Sequence, residues 1–193
     1  MRIAIIGKGN VGTALGNGLR RSGHEVRYGH RDPTEPVGDA AKWAEAILIA
    51  VPFGSVKDTV RELGHLAEGK TVIDATNPLT PEMELAIGYT TSAAEELQKM
   101  LPKSHVIKAF NTVFAQNQSS GRVGSEQLTA FIAGDNADAK KTVMRLAQDI
   151  GFAPVDTGGL KSARYLEPMA AMIIGLGYGM KMGTNIGFKL ARR

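Results

Sequence analysis

The sequence predicts an α/β fold, a doubly wound and mostly parallel sheet with a C-terminal helical extension, and three observations carry that prediction. Apolar runs of strand length alternate with amphipathic stretches along most of the chain. The first run, Ile3-Ala4-Ile5-Ile6, leads straight into the glycine turn Gly7-Lys8-Gly9-Asn10-Val11-Gly12. Later runs such as Ala46-Ile47-Leu48-Ile49 are apolar throughout rather than alternating. That is how strands buried on both faces of a parallel sheet read.

The elements follow in order. After the first strand, Thr13 to Ser22 reads as a helix that Gly23 stops, and Glu25 to Tyr28 reads as a short second strand. Asp39 to Glu45 is a small helix carrying Trp43, and the apolar run from Ala46 to Phe53 is a strand ending at proline. Ser55 to Leu66 is amphipathic, with Val56, Val60 and Leu63 on one face. Thr71 to Ala75 is the next strand, stopped by Thr76-Asn77-Pro78, and a looser stretch runs from Leu79 to Thr91. A helix over Ala93–Met100, strands over His105–Phe110 and Leu128–Ala133, a helix over Ala137–Ile150 and a strand over Ala153–Asp156 complete the alternation.

Residues 1–160 are expected to form a nucleotide-binding domain, and 161–193 a helical segment packing on it. Leu166 to Met180 is apolar and rich in methionine, and it is too short and too broken by Lys181 and Lys189 for a membrane span. Gly179, Gly183 and Gly187 recur every fourth residue. On a helix they form a smooth strip that allows close approach, within the chain or across a dimer; plain core packing is the alternative.

The glycine turn is the chemical signal. A strand, G-x-G-x-x-G and a helix within one strand–helix–strand unit is the fingerprint of a Rossmann-type dinucleotide site. Gly7 permits the tight turn, Gly9 lets backbone N–H groups approach a pyrophosphate, and Gly12 lets the helix pack on the strand. The helix starting there turns its positive end toward the phosphates, so Asn10 and Val11 belong to the same cradle.

The end of the second strand selects the dinucleotide. NAD sites place an acidic side chain there for the ribose hydroxyls, but this strand runs out as Gly29-His30-Arg31-Asp32-Pro33. A guanidinium offers a 2′-phosphate a planar fork of donors that stays charged. The reading is therefore NADP(H), with Arg31 as principal ligand and His30 beside it. Asp32 is the dissenting residue, placed to serve a 2′-hydroxyl or merely to open a loop before proline.

Composition narrows the chemistry. The 193 residues hold no cysteine, which excludes disulfides, thiolate metal sites and a cysteine nucleophile. The histidines at 24, 30, 65 and 105 show no metal-ligand spacing, and no metal is expected. The net charge of +4 is modest and owes part of its size to Arg192-Arg193, so nucleic acid is not an expected partner. The first strand starts at residue 2 with no leader-like stretch, and a cytoplasmic protein is expected.

In open α/β sheets the ligand lies beyond the carboxyl ends of the strands. Those ends are Val51-Pro52-Phe53, Thr76-Asn77-Pro78 and Phe110-Asn111-Thr112. Pro52 and Pro78 fix sharp exits that shape a wall or simply punctuate loops. Asn77 and Asn111 carry amides able to hold a carboxamide or to cap local turns. Asn111 and Thr112 are thus positioning candidates, with no acid–base residue assigned. Hydride transfer needs none, since the cofactor carries the chemistry.

Gly7-Lys8-Gly9-Asn10-Val11-Gly12, Gly23-His24-Glu25-Val26 and Gly29-His30-Arg31 resemble the NADPH-dependent 8-hydroxy-5-deazaflavin (coenzyme F420) reductases. The likeness continues through Val51-Pro52-Phe53, Ala133-Gly134-Asp135, Val155-Asp156-Thr157-Gly158-Gly159-Leu160 and Ala163-Arg164-Tyr165-Leu166-Glu167. The resemblance implies a small reductase, dimeric through its C-terminal part, passing hydride between NADP(H) and a deazaflavin stacked on the nicotinamide. It assigns phosphate binding to His30 and Arg31, pyrophosphate binding to Gly9, Asn10, Val11 and Gly12, and the nicotinamide side to the strand ends. One departure concerns the acceptor: the deazaflavin enzymes place a histidine before the threonine where this chain has Asn111 before Thr112. The NADP-binding half of STEAP-type reductases is similar too, which keeps flavin and ferric chelates open as acceptors. An NADP(H) redox sensor without turnover and a reductase of a small imine or oxoacid are the remaining readings.

Overall fold

A single parallel sheet with one reversal organises the chain. The computed structural model describes residues 1–191, so Arg192 and Arg193, counted in the charge above, lie outside the described residues. Strands β1 (Arg2–Ile6), β2 (Glu25–Gly29), β3 (Ala46–Ile49), β4 (Thr71–Asp74) and β5 (His105–Lys108) run parallel in the order β2-β1-β3-β4-β5. Strand β8 (Thr129–Gly134) then joins β5 antiparallel, and β9 (Ala153–Asp156) joins β8 parallel, giving seven strands. The chain leaves β1 toward β2 on one side and returns to β3 on the other. This switch point opens a crevice at the carboxyl ends of β1 and β3.

Strand alternation distributes the core between two faces. Ile3, Ile5, Leu48, Ile73 and Ile107 pack on one face against α1 (Asn10–Arg21) and α6 (Ala137–Ile150). Ala4, Ile6, Ile47, Ile49, Val72 and Val106 pack on the other, against α2 (Val37–Trp43), α3 (Val56–Leu63), α4 (Ala93–Met100) and α7 (Ala163–Ile174). Continuous apolar strands follow from this two-sided burial.

Three expectations change. The strand expected over Ala46–Phe53 stops at Ile49; the Ala50 N–H still bonds the Ile6 carbonyl at 2.8 Å, but Pro52 has no N–H and leads into a 3₁₀ turn, Phe53–Ser55. The strand expected to Phe110 stops at Lys108, because Phe110 adopts φ +66° and turns the chain. Sequence patterning gave no sign of α5 (Ala115–Gln118) or of the hairpin β6 (Arg122–Val123) and β7 (Glu126–Gln127), which are too short to show a period.

The C-terminal helix is also shorter than expected. After α7 one π turn covers Gly175–Gly179, and Met180 to Ala191 form neither helix nor strand. Gly179, Gly183 and Gly187 therefore make no helical strip; Gly183, at φ +77°, sits within the extended run. Gly187 has a different use. A Cβ there would come within 2.4 Å of Leu128, so its absence lets the segment press on the start of β8. The Thr129 N–H bonds the Phe188 carbonyl at 2.9 Å and the Leu190 N–H bonds Thr129 Oγ1 at 2.9 Å. No helix among the described residues is long and apolar enough to cross a membrane.

A buried charge cluster joins the second half of the sheet to α7. Lys108, Asp74 and Glu167 are 0%, 1% and 0% exposed. The Lys108 ammonium lies 2.9 Å from Asp74 Oδ2 and 3.0 Å from Glu167 Oε1, and donates to the Thr76 carbonyl at 2.7 Å. Glu167 also accepts the Ala93 and Ala94 N–H groups, at 2.9 and 3.1 Å, and so caps the first turn of α4. Asp74 Oδ1 accepts the N–H and hydroxyl of Thr76. Burial pulls the Lys108 pKa down, but the two carboxylates more than offset it and hold the ammonium charged.

Removing one member of such a cluster strands the others without a counter-charge. Lys108→Met is expected to cost about 3–5 kcal/mol of folding stability, read from the urea midpoint. A loss below about 1 kcal/mol would mean that water reaches the carboxylates.

Candidate functional site

The crevice at the switch point is a cavity of about 790 Å³, lined from the ends of β1 and β2, the segment after β3, α2 and α3 by residues that include Gly7, Lys8, Gly9, His30, Arg31, Val51, Pro52, Ser55, Thr59 and the carboxylates Asp58 and Glu62. That volume falls in the range of small-molecule and cofactor sites.

Its floor is the glycine turn. Gly7 takes φ +107°, and a Cβ there would stand 2.4 Å from the Ala50 carbonyl oxygen. At Gly12 a Cβ would meet the Gly7 carbonyl oxygen at 2.1 Å. Both residues are glycine because the protein's own backbone fills the space. Gly9 differs: its φ of −78° suits any residue, and nothing lies within 4 Å of where its Cβ would stand. The fold does not need a glycine there, whereas a pyrophosphate against the turn does.

Gly9 is the N-cap of α1, with no side-chain cap bond and no acidic residue in the first turn. The opening N–H groups of Asn10, Val11 and Gly12 and the positive end of the helix dipole thus remain for an anion.

Cations gather at the β2 end. Arg31 is exposed and its guanidinium reaches Ser55 Oγ at 3.4 Å. Glu35 accepts from Lys8 Nζ at 2.7 Å and meets His30 Nε2 at 2.5 Å. The Lys8 ammonium, then the His30 ring, hold the Glu35 carboxyl below the usual carboxylate range. Asp32 turns away from the cavity: its Oδ1 accepts the Thr34 N–H at 2.9 Å and the Thr34 hydroxyl at 2.8 Å, which keep its carboxyl low. Asp32 shapes its own loop.

The structure brings together Gly7, Gly9, His30, Arg31, Val51 and Pro52 on the cavity wall, with Asn10, Val11 and Gly12 opening α1 beneath it. Phe53 instead packs against the core of the α3 face. The acceptor-side candidates lie apart. Asn77 Nδ2 donates to the Asn111 carbonyl at 2.9 Å, and Asn111 Nδ2 donates to Asn77 Oδ1 at 3.1 Å and the Leu166 carbonyl at 2.9 Å. Asn111 and Thr112 are 4% and 1% exposed, Pro78 is buried, and none of the four lines the cavity. Asn77 and Asn111 tie the ends of β4 and β5 to α7.

Sequence reasoning missed Lys8, Glu35, Ser55 and Thr59. Lys8 stood inside the quoted motif, and its charge was the available signal. Glu35 had none, because only the fold brings it back to Lys8. No group of three or more His, Asp or Glu residues among the described residues is placed to hold a metal ion.

Residues 2–37 and 33–78 match a family model described as NADP oxidoreductase, coenzyme F420-dependent. The family resemblance read from the sequence is the one the comparison returns. An F420-dependent NADP reductase of Methanothermobacter marburgensis is 29% identical over 221 residues, covering 98% of this chain and 98% of that protein. A crystal structure of a candidate F420-dependent NADP reductase from Arthrobacter sp. FB24 superposes with a TM-score of 0.92 at 29% identity, covering both chains completely. The metalloreductase STEAP3 of Rattus norvegicus is 31% identical over 186 residues, 90% of this chain. The chain spans only 37% of that protein's length.

Gly9→Val separates ligand space from folding. The extended backbone at Gly9 accepts valine, so the stability cost is expected to stay within about 1 kcal/mol, the scale of a weakened cap. Binding of NADPH and of NADH, followed by nicotinamide fluorescence, is expected to vanish in the same variant. Unchanged binding would place the pyrophosphate elsewhere.

Proposed function

We propose that this chain is an NADP(H)-dependent oxidoreductase that passes hydride between NADP(H) and a planar deazaflavin- or flavin-like small-molecule acceptor. The observation that carries the proposal is Gly9: open space beside an uncapped helix start, in a cavity whose far end holds Arg31, His30 and Lys8. Gly9, Asn10, Val11 and Gly12 hold the pyrophosphate through backbone N–H groups. Arg31 and His30 hold the 2′-phosphate, and Val51 and Pro52 form the wall beside the adenosine. Bound nicotinamide supplies the hydride-transfer chemistry.

The remaining residues orient and exclude water. The Asn77–Asn111 clasp fixes the ends of β4 and β5, so Asn111 and Thr112 serve as positioning residues behind the nicotinamide. Lys108, Asp74 and Glu167 are sealed from solvent and paired with one another, so they hold the scaffold rather than exchange protons with substrate.

Residues 1–160 are the nucleotide-binding unit in this reading, and 161–193 carry the contact of a cytoplasmic homodimer. Exposed Tyr165, Met172, Tyr178, Met180 and Met182 on that segment support the dimer contact. The likeness to STEAP3 over 90% of this chain favours a second reading for the acceptor alone, a flavin or a ferric chelate.

Anaerobic NADPH oxidation with 8-hydroxy-5-deazaflavin, FMN and a ferric chelate in parallel tests the proposal. Turnover with the deazaflavin is expected, and turnover with FMN or ferric chelate alone would establish the second reading. Tight NADPH binding without turnover on any of the three would leave another acceptor or a sensor as the reading. Arg31→Ala is expected to weaken NADPH about 10- to 100-fold, the worth of ~1.5–3 kcal/mol for hydrogen bonds to a charged group, and to leave NADH nearly unchanged. An equal loss for both nucleotides would overturn the 2′-phosphate assignment.

A further inference from the structure

We infer that Glu35 is a specificity-determining residue of this cavity, which restrains preference for a 2′-phosphate by occupying Lys8 and His30. The inference rests on the reading of the cavity as an NADP(H) site. Three basic side chains reach the β2 end of the cavity, and two of them meet one carboxylate oxygen: Lys8 Nζ at 2.7 Å and His30 Nε2 at 2.5 Å from Glu35 Oε2. The Lys8 ammonium also lies 5.4 Å above the Tyr28 ring, which fixes it over β2. Arg31 has only a weak contact, with Ser55 Oγ at 3.4 Å. The resting site therefore offers one uncommitted guanidinium and a pair of cations already neutralised in part.

Glu35 is held in place by more than its side chain. The His30 N–H bonds the Glu35 carbonyl at 3.0 Å, and the Glu35 N–H bonds the Asp32 carbonyl at 3.0 Å. The loop thus returns the carboxylate to the residues that follow β2. The pull of Lys8 and His30 keeps that carboxyl ionised at neutral pH. A 2′-phosphate carries close to two negative charges. To bind, it must take Lys8 from Glu35 or sit beside a carboxylate. A 2′-hydroxyl carries no charge and meets neither cost, so Glu35 narrows the gap between the two nucleotides.

Glu35→Gln keeps the size and hydrogen bonding of the side chain and removes its charge. The variant is expected to bind NADPH about three- to tenfold more tightly at low salt, the scale of one unit-charge interaction at about 4 Å through water. NADH affinity should stay within about twofold, since its ribose carries no phosphate for the released cations to meet. The gain should shrink as ionic strength rises toward 1 M. The fragments 2′,5′-ADP and 5′-AMP should show the same contrast, which confines the effect to the adenosine end. Glu35→Ala should tighten NADPH in the same direction, which guards against a special effect of the new amide.

An unchanged or reduced NADPH-to-NADH preference in Glu35→Gln would overturn the inference, because the carboxylate would then be arranging Lys8 and His30 for phosphate. Failure of the underlying reading looks different. Wild-type protein would then bind neither nucleotide, or Arg31→Ala would lower both equally.

Discussion

Lys108 is the charge on which the second half of the molecule is assembled. Its ammonium faces Asp74 from the neighbouring strand and Glu167 from α7. Alone, a lysine buried in that position would be costly enough to lose its proton. With two carboxylates the cluster carries one excess negative charge, and the first turn of α4 meets it through the Ala93 and Ala94 N–H groups. One interaction therefore fixes β4 to β5, brings α7 over them and caps α4. Arg164 reinforces the join with two bonds to Glu95, at 2.9 and 2.8 Å. The Ser92 hydroxyl in turn caps α4, accepting the Glu95 N–H and donating to the Glu95 carboxylate.

The later segments of the resemblance, from Ala133 to Glu167, do this same kind of work. Arg164 and Glu167 both reach α4. Asp135 accepts the Leu160 N–H at 2.9 Å, and a Cβ on Gly159 would stand 2.7 Å from that carboxylate. Asp156 bonds the Gly158 N–H and pairs with Lys140. These motifs interlock with one another across β8, β9 and α7 rather than lining the cavity. Their likeness to a family therefore reports a shared framework, while the cavity is lined by residues between Ile6 and Glu62.

Legibility followed periodicity and local chemistry. The helices over Ala93–Met100 and Ala137–Ile150 have the bounds expected, because Ser92 and Asn136 cap them, and the strand over Ala153–Asp156 also keeps its expected bounds. The nucleotide turn was legible for the same reason: Gly7, Gly9 and Gly12 act within one turn of chain. What escaped was long-range. Glu35 reaches Lys8 across 27 residues and Asn77 reaches Asn111 across 34, and no local pattern marks either pair. The glycines at 179, 183 and 187 misled because spacing suggests a helix face only if a helix forms. Gly183 at φ +77° and the close approach of Gly187 to Leu128 serve an extended strap instead.

The three motif glycines also differ in what they say. Gly7 and Gly12 are explained entirely by the fold, since any side chain there collides with backbone, and a fold without ligand would still require them. Gly9 has open space where a Cβ would stand and an ordinary backbone conformation, so no close contact inside the protein requires it. A residue constrained by nothing inside the molecule is constrained by what binds there. The uncapped start of α1 makes the same point in electrostatic terms, because its first turn has no side-chain cap bond and no acidic residue. Steric room and unmet donors converge on one anion-sized space, and the cations at Arg31, His30 and Lys8 lie at the far end of the same cavity. NADP(H), whose pyrophosphate and 2′-phosphate lie on either side of the adenosine ribose, meets both conditions at once, which a neutral metabolite does not.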